Sequence, residues 1–313
     1  MRILHITNNY PTKKNLIFGI FVKEQIDSLV NFNINSKILF INARENGKKE
    51  YLLAPLRIRK LLKTKKFDVI HCHHSLSALS LILSLSFCKN IVVSFQNDPA
   101  FEFKFLFKLI KSFSNQLIFK NNSKLITDSN SHYLPNGVNM NFFRPIDRNY
   151  SCNKLNLDPS KTYILFVSSN YIRTQKRYDR FKEVLKILRK KYSMYDFEEL
   201  TLINTSRDLV PYYFNASSLH LLTSDFEGSP NSVKEAMSCN IPVVSSSVGN
   251  VDELLKNVDG SFVCKSNNEN DFADLVFKSL NFKDHNGRKK LKEKSLDIQS
   301  VAKKLNDIYH QTL

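Results

Sequence analysis

Cysteine is scarce in this sequence: 5 of 313 residues are cysteine, an odd number, and no two stand in a CxxC spacing. That pattern argues against a disulfide framework and a zinc site, and it is typical of a reducing compartment. Long apolar runs are missing too, since the longest stretch with few charges, residues 75–87, is far shorter than a membrane span. The first residues read as a strand rather than a signal peptide. We therefore expect a soluble or peripheral cytoplasmic protein.

Motifs of two other protein classes are also absent. No GxGxxG follows the first predicted strand, which disfavours a Rossmann dehydrogenase. No basic helix is interleaved with aromatic residues at the spacing of RNA-binding modules, which disfavours a nucleic-acid-binding protein. The informative features are instead the net charge and the order of the predicted strands and helices.

The net charge of +17 is unevenly distributed. Residues 1–145 hold 21 Lys and Arg against 8 Asp and Glu, which gives +13, and residues 146–313 hold 25 against 21, which gives +4. A basic first half indicates an anionic partner, such as lipid headgroups, phosphates or nucleic acid. A solvated, lysine-rich surface explains the same count, so charge alone leaves both interpretations open.

The first half alternates strands and helices. Continuous apolar runs predict buried parallel strands, and a period of 3.6 residues predicts the helices between them. The predicted strands are 3–7, 36–41, 68–71, 91–95 and 125–128, and the predicted helices are 20–32, 54–65, 76–87 and 101–120. This alternation predicts a parallel α/β sheet.

A second α/β series follows a polar linker at 141–157. Its predicted strands are 163–168, 200–203, 219–223, 242–246 and 260–264, and its predicted helices are 180–192, 209–216, 232–238, 251–256, 271–280 and 286–309. We therefore predict two α/β domains, residues 1–145 and 146–313. A ligand is expected in the crevice between them, beyond the carboxyl ends of the strands.

The segment 223–237, TSDFEGSPNSVKEAM, runs from a strand end through a turn into a helix. Amides at such a helix start favour phosphate. Glu227 and Glu235 lie eight residues apart and are predicted to face one crevice, where carboxylates accept hydrogen bonds from sugar hydroxyls. The alternative is that Ser229 or Asn231 merely caps the helix and that Glu235 is a surface residue.

The segment 164–178, ILFVSSNYIRTQKRY, places a basic loop after another strand. Arg173 and Lys176 are candidate cations for a diphosphate, whose negative charge grows as it leaves. In the first half, Gly19 precedes the first helix, where it serves either a phosphate contact or only a tight loop. His71 and His73 end a strand on one face; a buried, hydrogen-bonded His71 is the alternative to a functional one.

These segments resemble the retaining glycosyltransferases of family 4, which have the GT-B fold, two Rossmann-like domains facing each other across a crevice. The resemblance rests on the E-x7-E spacing of Glu227 and Glu235, the Pro-Val-Val strand at 242–244 and the Pro-Asn-Gly-Val segment at 135–138. It covers nearly the whole chain and is strongest over residues 125–265.

The resemblance implies a role for each matching residue. Glu227 lies beside the donor sugar, Glu235 binds the ribose hydroxyls, and His73 bonds the transferred sugar. Lys176 and Arg173 serve the diphosphate. The remaining donor-binding positions are Gly19, Ser169, Gly228, Ser229, Pro230, Asn231 and Ser232, where Pro230 has no N–H to offer.

Three positions depart from the family pattern. Gln175 replaces the usual Glu before Lys176, Phe18 replaces one glycine of a Gly-Gly loop, and Gln96 stands where relatives often have a His. Arg173 also matches only one variant of the family spacing, so Lys176 is the stronger match, and the change at Phe18 weakens the role of Gly19. The third leaves the acceptor side of the chemistry without its family counterpart.

The activity implied by the resemblance is transfer of a sugar from a nucleotide-diphosphate donor to a lipid-linked or cell-surface polysaccharide acceptor. A hexosyltransferase of this kind retains configuration by front-face attack, with catalysis by positioning and charge stabilisation. No metal and no other cofactor is implied. The alternatives are a nucleotide-sugar epimerase of the same fold, which needs water and a more acidic first domain, and a nucleic-acid-binding protein.

The predicted helix 101–120 sets Lys104, Lys108 and Lys111 in one stripe among bulky apolar residues. Such a helix suits an anionic membrane interface, and the excess charge lies in the same domain. The alternative is a helix packed on the sheet with its lysines in water. We expect peripheral attachment to the inner face of the plasma membrane, with these lysines near the acceptor.

Overall fold

The computed structural model describes residues 1–96, 104–169, 171–203, 205–266 and 268–313. These residues form two compact units, Met1–Gly137 with Ile298–Leu313, and Val138–Asp297. The sequence-based division differs at two points, since the first unit ends at Gly137 rather than at 145 and the last helix belongs to it. No helix of the described residues is both long enough and apolar enough to cross a bilayer.

The first unit is built on a parallel sheet. Its strands are β1 (Arg2–Thr7), β2 (Asn35–Phe40), β3 (Val69–His73), β4 (Ile91–Phe95), β5 (Gln116–Phe119) and β6 (Ser131–Tyr133). They lie in the order β2-β1-β3-β4-β5-β6. Its helices are α1 (Ile20–Ser28), α2 (Ala43–Asn46), α3 (Lys49–Thr64), α4 (Ser75–Leu83) and α5 (Lys104–Phe113), with a 3-10 turn at Leu29–Phe32.

The second unit repeats this topology. Its helices are α6 (Arg148–Lys154), α7 (Tyr178–Lys191), α8 (Val210–Ala216), α9 (Asn231–Ser238), α10 (Val251–Leu254), α11 (Glu269–Leu280) and α12 (Gly287–Glu293), and α13 (Ile298–Thr312) then returns to the first unit. Its strands are β7 (Thr162–Ser168), β8 (Phe197–Ile203), β9 (Leu219–Leu222), β10 (Val243–Ser246) and β11 (Phe262–Cys264), ordered β11-β10-β9-β7-β8. In both sheets the second strand flanks the first on one side and the third flanks it on the other. That reversal creates a switch point between β1 and β3, and between β7 and β9.

Each sheet is covered on both faces, as its continuous apolar strands predict. One face of the first sheet packs against α3, α4 and α5 through Ala54, Ala78 and Ile110. Its other face packs against α13 through Leu305 and Tyr309, which are fully buried. The last helix of the chain therefore completes the core of the first unit.

The predicted helix 101–120 and the predicted strand 125–128 are wrong. Helix α5 ends at Phe113 and β5 begins at Gln116, because the apolar run Gln116–Phe119 pairs with β4 inside the sheet; residues 101–103 of that prediction lie outside the described residues. The segment 125–128 is a turn, in which the Ile126 amide donates to the Ser123 carbonyl, and β6 follows it.

The predicted helix 286–309 is two helices, α12 and α13, rather than one. Ser295 between them has a φ of 52°, a left-handed conformation that ends a helix. The sequence pattern does not reveal this break, because the 3.6-residue period of the apolar residues continues on both sides of it. The division places α12 in the second unit and α13 in the first.

Candidate functional site

Two loops meet at the switch point of the second sheet. One follows β7 and the other follows β9, so both leave the carboxyl edge of adjacent strands. The Thr223 hydroxyl donates to the carbonyls of Lys176 and Arg177 at 3.0 Å, and the Asp225 amide donates to the Gln175 carbonyl at 2.9 Å. These bonds hold the basic loop, which carries Lys176, against the acidic loop, residues 223–230.

The centre of this junction is an ion pair between Lys176 and Glu227. The Lys176 Nζ lies 2.6 Å from Glu227 Oε1, and the two side chains are only 11% and 14% exposed. The Ser224 hydroxyl donates to the same carboxylate oxygen at 2.8 Å. The pair is therefore pre-positioned and largely withdrawn from water, which strengthens the electrostatic effect of both charges.

Helix α9 begins directly after this pair. Pro230 precedes it at a φ of −66° and no side chain caps its first turn; Asn231 Oδ1 has no hydrogen-bond partner among the described residues. The capping role considered for Ser229 or Asn231 is thus wrong. The Ser229 hydroxyl instead accepts a hydrogen bond at 3.0 Å from Lys234, a fully buried lysine. The Lys234 ammonium adds positive charge next to the amides of the helix start.

Two further residues fix this loop from beneath. His220 in β9 lies 3.1 Å from the Ser232 hydroxyl and the same distance from the Leu165 carbonyl. Burial lowers the pKa of His220 to about 4, so it is a neutral ring that links the strand to the helix start. Ser246 donates to the Ser224 carbonyl at 2.6 Å, which ties β10 to the acidic loop.

Gly249 lies against the acidic loop on its other side. Its φ is +55°, and a Cβ at this position would overlap the carbonyl oxygen of Gly228. The Asn250 amide donates to the same carbonyl at 3.2 Å. A glycine is thus required here both for its backbone conformation and for its lack of a side chain.

Glu235 lies one turn into α9 and is buried, so the alternative that it is a surface residue is wrong. Arg207 donates to its Oε1 at 2.9 Å, and the Arg207 guanidinium lies 4.7 Å from the centre of the Phe143 ring. The bond from Arg207 therefore positions the Glu235 carboxylate on the helix that begins beside the Lys176–Glu227 pair. Sequence reasoning missed both Arg207 and Lys234, because neither stands in a spacing motif of its own.

Arg173 and Ser169 have less defined positions. Arg173 is exposed and its carbonyl accepts from the Lys176 amide at 2.9 Å, so its backbone shapes the basic loop. Ser169 follows the last residue of β7 and is half-buried. Both lie on the loop that carries Lys176, as expected.

In the first unit, Gly19 and His73 lie near the carboxyl edge of the sheet. Gly19 has a φ of +69° and begins α1, and a Cβ there would overlap the carbonyl group of Asn9. Close packing of the loop on the strand end therefore requires this glycine. His73 is completely buried, and its Nε2 lies 3.0 Å from His5 Nδ1.

His5, His71 and His73 form the single group of described residues with the separation of a metal site, their ligand atoms all lying within 4.8 Å of one another. The ring nitrogens of His71 already contact Tyr309 and Ser94, each at 2.7 Å. Burial lowers the pKa of all three rings, that of His5 to about 3. Neutral imidazoles suit a metal, but both ring nitrogens of His5 and of His71, and Nε2 of His73, already lie within hydrogen-bond distance of another side chain.

Part of the second unit matches a known protein family. Residues 199–297, which include β9, α9 and β10, match the family model described as Glycosyl transferases group 1. No curated protein sequence matches the chain. Glu227 and Glu235 lie inside the matched segment, and Lys176 lies outside it.

Several solved structures are similar over their whole length. Sucrose-phosphate synthase from Thermosynechococcus elongatus has a TM-score of 0.77 at 14% identity, with 99% of each chain covered. Trehalose-6-phosphate synthase OtsA has 0.76 at 12%, with 100% of each chain covered. HepE from Anabaena, in complex with UDP-glucose, has 0.68 at 12%, covering 99% of this chain and 100% of its own. These likenesses show the α/β GT-B fold with two Rossmann-like units.

Proposed function

We propose that this protein is a glycosyltransferase that takes a sugar from a nucleotide-diphosphate donor and attaches it to an acceptor hydroxyl. The observation that carries the proposal is the largely buried Lys176–Glu227 pair, held at the switch point beside the start of α9. A donor of this kind needs a cation and backbone amides for the diphosphate and a carboxylate for the sugar hydroxyls. The three requirements are met within one junction.

The diphosphate is proposed to lie between Lys176 and the first turn of α9. The amides of Gly228, Ser229 and Ser232 belong to this turn and the loop before it, and Lys234 stabilises the loop through Ser229. Charge that develops on the leaving diphosphate is then met by groups already in place. Glu227 is proposed to exchange its bond to Lys176 for hydroxyls of the sugar.

The nucleoside is proposed to bind further along α9. Glu235 accepts from Arg207 in the structure, and an ionised carboxylate has further lone pairs with which to accept ribose hydroxyls. The likeness to HepE, solved with UDP-glucose, supports a uridine nucleotide as the first donor to test.

The reaction is proposed to retain configuration. The acceptor oxygen forms its bond to the anomeric carbon on the face from which the diphosphate departs, and the bond from that carbon to the diphosphate oxygen breaks. The acceptor proton passes to an oxygen of the leaving diphosphate. The protein supplies position and charge rather than a covalent nucleophile.

The acceptor is proposed to be a lipid-linked or cell-surface glycan, reached from the inner face of the membrane. Helices α3, α4 and α5 are successive neighbours on one face of the first sheet. This face exposes Leu52, Leu56 and Phe105 at 79%, 65% and 79%. Exposed apolar side chains on a domain of net charge +13 suit an anionic interface.

The lysine stripe of α5 contributes less to this surface than its sequence suggests. Lys111 lies 2.5 Å from Asp128, and Ile110 on the same helix is fully buried in the core. Lys108 is exposed, and Lys104 belongs to the same helix. We therefore propose that the exposed leucines of α3, with Arg59 and Lys60 beside them, carry most of the membrane contact.

The direct test is a panel of nucleotide diphosphates titrated into the protein by calorimetry. We expect one base to bind clearly better than the others, and Glu235→Ala to raise the Kd for it by ~10- to 100-fold, because a hydrogen bond to a charged group contributes about 1.5–3 kcal/mol. Glu293→Ala, which changes an exposed carboxylate of the same unit, is the matched control. Failure of every nucleotide to bind would contradict the proposal.

The same titration and the transfer assay should be repeated with EDTA. We expect no change, because Lys176, Lys234 and the helix-start amides supply the positive charge that a divalent ion supplies elsewhere. Loss of turnover that manganese or magnesium restores would show that the diphosphate needs a metal.

A further inference from the structure

Three polar side chains lie on one face of the first sheet at its carboxyl edge. In the parallel register, His73 of β3 is opposite Ser94 of β4, and Ser94 is opposite Ile118 of β5. Gln96 and Lys120 follow Ser94 and Ile118 by two residues, and side chains two apart along an extended chain point to the same face. His73 ends β3, and Gln96 and Lys120 directly follow β4 and β5, so the three residues lie at the carboxyl ends of adjacent strands.

Each of these side chains has a buried polar atom without a hydrogen-bond partner among the described residues. The atoms are His73 Nδ1, Gln96 Nε2 and Lys120 Nζ. Lys120 is only 1% exposed. Buried polar atoms are nearly always satisfied, and an unpaired buried ammonium is especially costly. Three such atoms at neighbouring strand ends point to a ligand that these side chains bind.

The N–H groups of these three side chains favour a ligand that is rich in hydrogen-bond acceptor atoms. Gln96 Nε2 and Lys120 Nζ are donors. The Ser36 hydroxyl lies 3.2 Å from His5 Nε2, and His5 Nδ1 lies 3.0 Å from His73 Nε2. When Ser36 donates to His5, His5 donates to His73, and the remaining proton of neutral His73 stands on Nδ1. All three atoms are then donors.

We infer that His73, Gln96 and Lys120 bind an oxyanion, a phosphate or carboxylate group carried by the acceptor. This deepens the proposed function, on which its assignment to the acceptor rests. A phosphate offers several acceptor oxygens and a negative charge, which would satisfy three donors and neutralise Lys120. The acceptor class is therefore an anionic molecule, such as a sugar phosphate or a phospholipid-linked glycan.

A cation is disfavoured at the same place. Burial is the main cause of the lowered pKa of His71 and His73, and the nearby charge of Lys120 lowers it further. The same charge would repel a divalent ion bound by these rings. Binding of zinc by the isolated protein, with displacement of sulfate, would contradict the inference.

Burial alone lowers the pKa of Lys120 to about 7. The groups around it do not titrate between pH 6 and 9, since burial holds the pKa of His5, His71 and His73 below this range and that of Tyr309 above it. His132 on the neighbouring strand also has a lowered pKa. Anion binding should therefore follow the protonation of Lys120.

The experiment is calorimetric titration of the full chain with sulfate, whose charge is constant over this range, with saturating nucleotide diphosphate to occupy the second unit. We expect the affinity to fall up to tenfold for each pH unit above 7, as Lys120 loses its proton. Lys120→Met should weaken sulfate binding at pH 6.5 at least tenfold. Lys124→Met, which removes an exposed lysine of the same segment, should leave it unchanged.

A second variant guards against misfolding of the first. Gln96→Glu keeps the size of the side chain and places a carboxylate beside Lys120, so it should abolish sulfate binding while leaving the far-UV circular dichroism unchanged. Unaltered sulfate affinity in both Lys120→Met and Gln96→Glu would overturn the inference, as would an affinity independent of pH.

The source of the oxyanion is separated by two further titrations, with inorganic phosphate and with a short-chain phosphatidic acid. Tighter binding of the lipid, lost in Lys120→Met, would assign the site to a headgroup; equal binding would assign it to a soluble phosphate. In the transfer assay Lys120→Met should raise the KM for an anionic acceptor and leave nucleotide affinity unchanged. Sulfate binding without any transfer would refute the proposed function alone, whereas transfer unaffected by Lys120→Met would refute this site alone.

Discussion

Lys176 and Glu227 are opposite charges that the fold withdraws from water together. Removing one partner leaves the other charge uncompensated; the cost reaches about 3–5 kcal/mol in a fully buried pair and is smaller in this partly exposed one. In this protein the surrounding loops are tied by hydrogen bonds from Thr223 and Asp225, so the remaining charge has little freedom to reach solvent. The pair should therefore behave as one unit in kinetics.

Lys176→Met and Glu227→Gln are each expected to lower kcat/KM for transfer by about 100-fold or more, since each removes a preorganised charge. The double variant should be little worse than either single one, because the groups act together. The measurement is a double-mutant cycle on steady-state rates. Lys161→Met with Glu198→Gln, an ion pair of 3.0 Å at the amino end of β7 and β8 in the same sheet, should leave the rate unchanged. Near-normal turnover in either site variant would disprove the assignment.

The site residues that the sequence predicts are those whose spacing along the chain carries the information. Glu227 and Glu235 stand in a fixed interval within one turn and helix, and Lys176 follows a strand end. Arg207 and Lys120 cannot be predicted in this way. Their roles depend on which strands become neighbours and on which side chains lose water, and both are properties of tertiary packing.

At the scale of elements, the loop after β10 controls the acidic loop through Gly249. We expect Gly249→Ala to lower the free energy of unfolding by about 1–3 kcal/mol and to weaken donor binding, because the added Cβ displaces the Gly228 carbonyl. Gly47→Ala is the matched control, since Gly47 also has a positive φ, +81°, but no atom lies within 4 Å of an added Cβ. Urea unfolding and nucleotide titration measure the two effects. If Gly249→Ala and Gly47→Ala lost the same stability, and Gly249→Ala kept its nucleotide affinity, the contact with Gly228 would be unimportant.

The face of α3, α4 and α5 gives a second prediction at this scale. Replacing Leu52 and Leu56 by Ser should reduce binding to anionic vesicles at least tenfold, because each buried leucine contributes about 1.5–3 kcal/mol. Lys108→Gln should cost less, about 1 kcal/mol, and only at low salt. Co-sedimentation with vesicles of varied anionic content measures both.

Val30→Ser is the control for that experiment, since Val30 is 67% exposed and lies in the turn that packs with α13 on the opposite face of the sheet. It should bind vesicles as the unchanged protein does. Absence of binding at low salt by the unchanged protein would refute the membrane surface, and a soluble glycan would become the acceptor to test.

Element boundaries show where periodicity stops being informative. Most strands and helices of both units lie where the apolar pattern predicts them. The run Gln116–Phe119 does not, because three apolar residues, Leu117 to Phe119, soon after a helix fit a longer helix equally well. The segment forms a strand because it pairs with β4, and the local sequence does not indicate that pairing.

At the scale of the whole molecule, α13 connects the end of the chain to the first core. Leu305→Ala should lower the stability of the first unit by about 2–5 kcal/mol, since it empties a fully buried position. Amide hydrogen exchange should accelerate in β1 and β3 and remain slow in β7. Lys304→Ala, an exposed neighbour on the same helix, should have no effect. Equal acceleration in both units would show that the helix does not belong to the first alone.

The position of α13 also sets the order in which the protein can mature on the ribosome. Domains generally fold as they are synthesised, the N-terminal one first. Here the first unit lacks Leu305 and Tyr309 until the second has been translated, so one face of its sheet stays only partly covered until then. The second unit, continuous in the chain from Val138 to Asp297, is free to finish first. Nascent chains arrested before residue 298 should therefore present a protease-sensitive first unit beside a protease-resistant second one.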